Sequence, residues 1–271
     1  MKRLIYIIIC GLLLFGCDVI SEQDRYLSVD VQVGKRRVLL EDFTGWRCVN
    51  CPDAAEIAHE LQELYGSHVV VIGLHPDDGN WTRPAEGALD LRSEAATAYY
   101  TEFGSPTSFP IGMVNRKSYN GEILVDRDKW MTYVNQLLVV DPVADIDIKK
   151  DDENPTVDHN LKFKIEVTVA DSIDFAVNMQ ILLLESGLVG PQYTLQGLNK
   201  TYTHNHVLRA AINGNFGENV VLPKQGESLI KNYDFFIDEA FIPDNCSVVA
   251  YLYRADTNEV LQVVEVSVMN L

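Results

Sequence analysis

The sequence has little positive charge. Its 271 residues include 22 Lys and Arg against 39 Asp and Glu, which gives a formal net charge of −17 at pH 7. A surface this acidic is a poor partner for nucleic acid or for an anionic lipid face, and no nucleic-acid partner is expected. Hydrophobic residues make up 47% of the chain and charged residues 23%, which is the composition of a globular protein and not of a disordered one.

Long apolar runs are missing as well. The run at residues 4–15 is too short to span a bilayer as a helix, and no run of about 18 apolar residues follows it. It comes directly after Lys2 and Arg3, an order that is typical of a secretory signal peptide. It ends at Gly16-Cys17, which resembles the bacterial lipobox and implies cleavage after Gly16 and a lipid anchor on Cys17. The alternative is an ordinary secretory signal with a chance cysteine.

Cysteine is scarce, with five in the whole chain. Cys10 lies in the signal peptide and Cys17 is the expected lipid carrier, so three remain. Cys48 and Cys51 form a C-x-x-C motif, and an exported chain can hold such a pair as a disulfide. Cys246 lies in an apolar run and is predicted to be buried and inert.

Residues 37–140 have the apolar spacing of alternating strands and helices. Runs of β-branched residues predict strands, and apolar residues three or four apart predict amphipathic helices. The second helix has two candidate starts, Pro84 and Ser93, and Asn120-Gly121 predicts a hairpin turn. The predicted strands are residues 37–43, 68–74, 111–116 and 122–125, and the predicted helices are residues 54–65, a segment ending before residue 104, and residues 126–138.

This order, β-α-β-α-β-β-α with the C-x-x-C at the start of the first helix, is the thioredoxin-like arrangement. Asp42-Phe43 lies six residues before Cys48, the distance at which thioredoxins carry Asp-Phe. Thioredoxin-like proteins also place a cis-proline just before the third core strand. Pro110 occupies that place in this sequence, and Pro106 is the alternative.

The thioredoxin-like arrangement gives each residue of this site a chemical role. At a helix N-terminus the unpaired N–H groups and the helix dipole favour a thiolate, and the neighbouring Arg47 adds positive charge. Cys48 is therefore the expected exposed nucleophile and Cys51 the resolving thiol. Asp42, if buried, would handle the proton of Cys51, and Pro110 would leave room for an extended peptide. The alternative is a purely structural disulfide.

A few further residues are candidates for binding. Trp46 stands two residues before Cys48 and, with Arg47, could contact a partner. His204 and His206 could place two imidazoles on one strand face, as in a transition-metal site. No third ligand is evident near them in the sequence. Surface or hydrogen-bonded histidines are therefore expected, and neither a metal nor another cofactor is predicted.

The hydrophobic period changes to two after Asp141-Pro142. Alternating runs at residues 161–169 and 175–183, with further strands and no clear helix, predict a β-sandwich of the immunoglobulin-like type. The predicted fold class is therefore a thioredoxin-like α/β domain followed by an all-β domain. The predicted segments are a signal peptide (1–16), a lipidated N-terminus and linker (17–36), a thioredoxin-like domain (37–140) and a β-sandwich (141–271).

Three blocks of the sequence resemble the outer membrane protein 28 family of Bacteroidetes. They are VLLEDFTGWRCVNCP at residues 38–52, FPIGMVNR at 109–116 and HNHVLR at 204–209. The resemblance implies an outer-membrane lipoprotein with a thioredoxin-like domain and a β-rich C-terminal domain. It leaves the side of the membrane, periplasm or cell surface, and the oligomeric state open.

Two functions fit these patterns. The first is thiol–disulfide exchange through Cys48 and Cys51, with envelope proteins that carry thiols or disulfides as partners. The alternative is a surface-exposed binding lipoprotein, an adhesin or capture subunit, in which the C-x-x-C is a structural disulfide. In both cases the lipid on Cys17 would be the contact with the membrane.

Overall fold

The computed structural model describes residues 34–84 and 86–271. The predicted signal peptide and Cys17 lie outside the described residues. The three α-helices of the described residues are α1 (Cys51–Tyr65), α2 (Glu94–Glu102) and α3 (Trp130–Leu138). The strands are β1 (Val38–Phe43), β2 (Val69–Leu74), β3 (Ile111–Val114), β4 (Ala144–Lys150), β5 (Asn160–Val169), β6 (Val177–Glu185), β7 (Leu188–Thr194), β8 (Gly197–His204), β9 (Val207–Ala211), β10 (Glu218–Val220), β11 (Ser228–Phe236), β12 (Cys246–Arg254) and β13 (Val260–Ser267).

Local sequence explains where α1 begins and ends and where α2 begins. Pro52 lies at the first helical positions of α1, where its missing N–H costs nothing, and Gly66 ends the helix with φ +56°. The side chain of Ser93 accepts a hydrogen bond from the N–H of Ala96, which caps the N-terminus of α2. Ser93, not Pro84, is therefore the start of the second helix.

Two predicted strands are shorter in the structure. β3 ends at Val114 because Asn115 and Arg116 both have φ near +50°, which is incompatible with an extended strand. The predicted strand at 122–125 is reduced to isolated bridges, one of which closes the Asn120-Gly121 turn between Tyr119 and Glu122.

One eight-stranded sheet forms the centre of the fold. Seven of its strands follow the order β13-β12-β6-β9-β2-β1-β3, and β10 pairs with β6. β1 and β2 are parallel, whereas β3 is antiparallel to β1. The parallel pairing of β2 with β9 is short and consists of one register pair, Gly73 with Val207. The N–H of Gly73 donates a hydrogen bond to the carbonyl oxygen of His206 at 2.8 Å. The domain boundary at residue 141 stays a prediction, and the main sheet continues across it.

Strands β6 and β12 are buried on both faces. Leu182 and Leu184 of β6 pack in one core with Tyr99 of α2, whereas Ile181 and Leu183 pack in a second core with the three-stranded sheet β11-β5-β4. Side chains alternate between the faces of a strand, so a strand covered on both sides is apolar at nearly every position. The fold is thus a mixed α+β arrangement of mostly strands in several sheets.

No helix in the described ranges is long and apolar enough to cross a membrane. Cys246, at the start of β12, is buried and free, as predicted.

Candidate functional site

The C-x-x-C lies between the end of β1 and the start of α1. Cys48 and Cys51 form a disulfide, and Cys51 is the first residue of α1. Hydrogen bonds hold the preceding loop, from the N–H of Arg47 to Trp81 O at 3.1 Å and from the N–H of Cys48 to Gly45 O at 3.0 Å. A Cβ on Gly45 would lie 2.6 Å from the carbonyl oxygen of Trp81, so only glycine fits this close approach.

Both cysteines are buried, with side chains about 2% exposed. The expected exposure of Cys48 is therefore wrong for the disulfide form, whereas its role as the nucleophile stays a prediction. Both cysteines belong to the core cluster that also contains Phe43 and Phe109. A two-stranded sheet formed by β7 and β8, called here the arm (Leu188–His204), contacts the loop that carries them.

The arm contacts the disulfide loop through two neighbouring residues. The side-chain amide of Gln192 donates to the carbonyl oxygen of Cys48 at 2.9 Å, and the N–H of Tyr193 donates to the carbonyl oxygen of Trp46 at 2.7 Å. The rings of Tyr193 and Trp46 are stacked, with centroids 5.6 Å apart. The guanidinium carbon of Arg47 lies 5.0 Å from the centre of the same Trp46 ring. Both predicted contact residues, Trp46 and Arg47, thus belong to an aromatic platform beside the disulfide.

Asp42 is a buried carboxylic acid near the end of β1. Its Oδ1 atom has no hydrogen-bond partner, and it lines one cavity with Cys51. Burial raises the pKa of Asp42 to about 8, against the smaller opposing effect of the Arg127 charge. Near neutral pH the carboxyl group is therefore largely protonated, and its pKa is close to that of an ordinary cysteine thiol.

The cavity next to the disulfide has a volume of about 100 Å³ and is rich in histidine. His75, His204 and His206 line it together with Asp42 and Cys51. Burial lowers the pKa of His75 to about 3 and that of His204 to about 4, and it lowers the pKa of His206 as well. All three imidazoles are therefore neutral at neutral pH.

His204 and His206 do not share a strand face, so the possible metal pair considered for them does not form in this way. β8 ends at His204 and β9 begins at Val207, and His206 lies in the connection with φ +55°. The fold instead brings His204 next to His75, with ring centroids 6.0 Å apart. Within residues 34–84 and 86–271, no group of three or more His, Cys, Asp or Glu residues is placed to hold a metal ion.

Pro110 lies after the cis peptide bond of Phe109–Pro110, the position favoured in the sequence analysis over Pro106. Phe109 is buried in the same core cluster as Cys48 and Cys51. Pro110 and Arg127 line a shallow surface pocket. Arg127 also reaches the disulfide loop, where it donates to the carbonyl oxygen of Asn50 at 3.0 Å.

Four residues of this site were missed by the sequence analysis: His75, Arg127, Gln192 and Tyr193. His75 directly follows the buried strand β2, which is a signal that could have been used, because loops after parallel strands often carry functional residues. Gln192 lies 144 residues from Cys48 along the chain and gives no local signal.

The family model of outer membrane protein Omp28 matches residues 96–270. The chain belongs to the Omp28 family. This assignment confirms the resemblance stated above and places the chain at the outer membrane. The match begins after the C-x-x-C, so the family assignment carries no information on Cys48 and Cys51.

Two solved structures are similar to this chain in overall fold, and a third is similar to it over less than half of its length. HBP35 of Porphyromonas gingivalis is 16% identical, has a TM-score of 0.64, and aligns over 86% of this chain and 76% of its own. Protein AGR_C_4864 from Agrobacterium tumefaciens is 14% identical, with a TM-score of 0.52 and coverage of 87% and 95%. A domain of the outer membrane lipoprotein Omp28 from Porphyromonas gingivalis is 25% identical over 46% of this chain and 88% of its own, with a TM-score of 0.31. No match was found among the curated proteins.

Proposed function

We propose that this Omp28-family chain is a thiol–disulfide oxidoreductase of the cell envelope, with Cys48 and Cys51 as its redox pair. The observation that carries the proposal is the disulfide at the N-terminus of α1 with the buried Asp42 carboxyl group in the cavity beside Cys51. The order β1-α1-β2-α2-β3-α3 supports a thioredoxin-like arrangement for residues 37–140. The packing of β4, β5 and β11 over β6 and β12 supports an immunoglobulin-like sandwich for residues 141–271.

The exchange would begin at Cys48. Its thiolate, favoured by the N-terminus of α1, attacks a disulfide of the partner and forms a mixed disulfide, while one partner sulfur leaves as a thiolate. Cys51 then gives its proton to the ionised form of Asp42 and attacks the sulfur of Cys48. The second partner sulfur leaves, so the partner is reduced by two electrons and the C-x-x-C is oxidised. In the opposite direction a partner thiolate attacks the sulfur of Cys48, the Cys48–Cys51 bond breaks and Cys51 leaves as a thiolate. A second partner thiolate then attacks the partner sulfur of the mixed disulfide and releases Cys48, so the partner is oxidised by two electrons.

Asp42 suits the second step because its pKa is raised to about 8. Proton transfer between two groups is most effective when their pKa values are close to each other and to the working pH. A carboxyl group with an ordinary pKa near 4 would be a weak base toward a thiol.

A second candidate function is a binding lipoprotein whose disulfide is structural. The burial of both cysteines favours it, because a shielded disulfide reacts slowly with thiols. In this case the surface of the protein binds a partner, and the loss of the disulfide mainly lowers stability.

Replacing Cys51 by Ser should trap mixed disulfides with envelope proteins. Without the resolving thiol the intermediate on Cys48 cannot collapse, so conjugates sensitive to reductant should accumulate. They would be measured on non-reducing gels of cells that express the Cys51→Ser variant. Matched controls are Cys246→Ser, which changes a buried free cysteine, and the double variant Cys48→Ser/Cys51→Ser. Absence of conjugates in Cys51→Ser, with normal folding, would exclude the exchange mechanism and favour the structural disulfide.

Lipid attachment at Cys17 is a further part of the proposal. Cys17→Ser should leave the precursor unprocessed or release the protein from the membrane fraction, because the thiol that receives the lipid is gone. Cell fractionation and the size of the protein on gels measure both effects. Cys10→Ser is the control, since it changes a cysteine inside the predicted signal peptide. Unchanged size and membrane retention in Cys17→Ser would contradict lipidation at this residue.

A further inference from the structure

The arm is a small element with few anchors. Its two strands pair only with each other, and a single two-stranded hairpin is at best marginally stable in water. Most of its side chains are exposed to some degree, including Leu195 at its tip. Three are buried, namely Leu188, Gln192 and His204. Elements with so few buried contacts open at low free-energy cost.

The contacts of the arm with the disulfide loop are those of an extended peptide on a binding surface. The main-chain N–H of Tyr193 donates to the carbonyl oxygen of Trp46, so the recognition includes the backbone. The Tyr193 ring stacks on the Trp46 ring, with an interplanar angle of 15°. The Gln192 amide reaches the carbonyl oxygens of Cys48 at 2.9 Å and Gly45 at 3.4 Å. These acceptors and this ring would be available to another polypeptide if the arm moved away.

We propose that the surface formed by Gly45, Trp46 and Cys48 is a binding site for an extended polypeptide with an aromatic side chain, and that the arm occupies this site as a built-in mimic. The aromatic side chain of the partner would replace Tyr193 on the Trp46 ring. The displacement of the arm also uncovers the disulfide, so the site and the redox pair become accessible together. The second half of this inference rests on the proposed exchange function, whereas the displacement of the arm does not.

Access to the disulfide tests the covering role of the arm. Dithiothreitol reduces Cys48–Cys51 by two electrons and two protons and itself closes to a cyclic disulfide, so the rate can be followed by thiol labelling after quenching. The double variant Gln192→Ala/Tyr193→Ala removes the hydrogen bonds of the Gln192 amide and the stacking of the Tyr193 ring on Trp46. It should raise the rate of disulfide reduction in the folded protein by about tenfold. Leu195→Ala, at the exposed tip of the arm, is the matched control and should leave the rate unchanged. Equal rates in the wild type and the double variant, with unchanged thermal unfolding, would overturn the covering role.

Peptide binding tests the site itself. The probe is a fluorescein-labelled synthetic peptide that copies residues 189–195, and its binding is measured by anisotropy with the disulfide intact. It should bind the Gln192→Ala/Tyr193→Ala variant about tenfold more tightly than the wild type, because the competing arm is weakened. The same peptide with alanine at the tyrosine position should lose this binding. No binding to either protein, or equal affinity for both, would overturn the proposal.

The two tests are separable from the exchange mechanism. Both use the oxidised protein or a chemical reductant, and neither requires a partner with a disulfide. If the arm is displaced as expected but Cys51→Ser traps no conjugates, the peptide site stands and the oxidoreductase function fails. If Cys51→Ser traps conjugates but Gln192→Ala/Tyr193→Ala changes neither the rate of disulfide reduction nor the binding of the peptide, the exchange function stands and the inference on the arm fails.

Discussion

Replacing Arg116 by Met should lower the free energy of unfolding by about 3–5 kcal/mol, because it leaves a buried carboxylate without its partner. The Nε and Nη2 atoms of Arg116 donate to the two carboxylate oxygens of Glu41 at 2.7 and 2.6 Å, and both side chains are 1% exposed or less. Arg116 also donates to the hydroxyl of Tyr251 at 2.7 Å and lies 4.5 Å from the centre of the Tyr99 ring. Chemical denaturation of the purified protein measures the loss.

A double-mutant cycle separates the pair from the loss of packing. Glu41→Leu/Arg116→Met removes both charges and should be more stable than Arg116→Met alone, since no unpaired charge remains buried. Arg92→Met is the surface control. It breaks partly exposed pairs with Asp90 and Asp77, and each should contribute less than about 1 kcal/mol. A loss in Arg116→Met no larger than in Arg92→Met would show that the buried pair does not stabilise the fold.

The ion pair lies where the two halves of the chain meet. Glu41 lies on β1, Arg116 follows β3, and Tyr251 lies on β12, so one network joins strands from both sides of residue 141. Asn115 adds to the same junction, with its side chain bonded to the N–H of Leu39 at 2.7 Å and to the carbonyl oxygen of Val260 at 3.2 Å. The loss of stability in Arg116→Met should therefore affect both halves.

The strands and helices of the first half follow closely from the sequence. β2 is a run of apolar, mostly β-branched residues buried at all six positions, and α1 buries Ala54, Ala58 and Leu61 at helical spacing. Such elements are set by local patterns of burial, which a single sequence shows.

The arm could not be predicted from the same patterns. β8 is exposed along nearly its whole length, and β7 contains Gly190 and Pro191, residues that argue against a strand. The arm forms because its two strands pair with each other and because Gln192 and Tyr193 meet a loop far away in the chain. The histidine cavity has the same origin, since His75 and His204 are neighbours only after β2 and β9 have joined.

Replacing Asp42 by Asn should stabilise the disulfide form of the protein, and more strongly at pH 8 than at pH 5. Burial raises the pKa of Asp42 in the folded state from 3.8 to about 8. Between these values the folded protein retains a proton that the unfolded chain has released, so the stability of the wild type falls as the pH rises. Asparagine has nearly the same shape and cannot ionise, which removes this dependence.

The difference in the free energy of unfolding between Asp42→Asn and the wild type should grow by on the order of 3 kcal/mol from pH 5 to pH 8. Each unit of difference between the folded and unfolded pKa corresponds to about 1.4 kcal/mol. Urea unfolding of the oxidised protein at both pH values measures it. Asp53→Asn is the matched control, because this acid lies exposed in the first turn of α1. Parallel pH dependences in the wild type and Asp42→Asn would show that the pKa of Asp42 is not raised in the folded protein, which would make its carboxylate a weak base toward Cys51. The proton acceptor for Cys51 would then have to be sought elsewhere, and the neutral imidazoles of His75 and His204, which share the cavity, would be the next residues to replace.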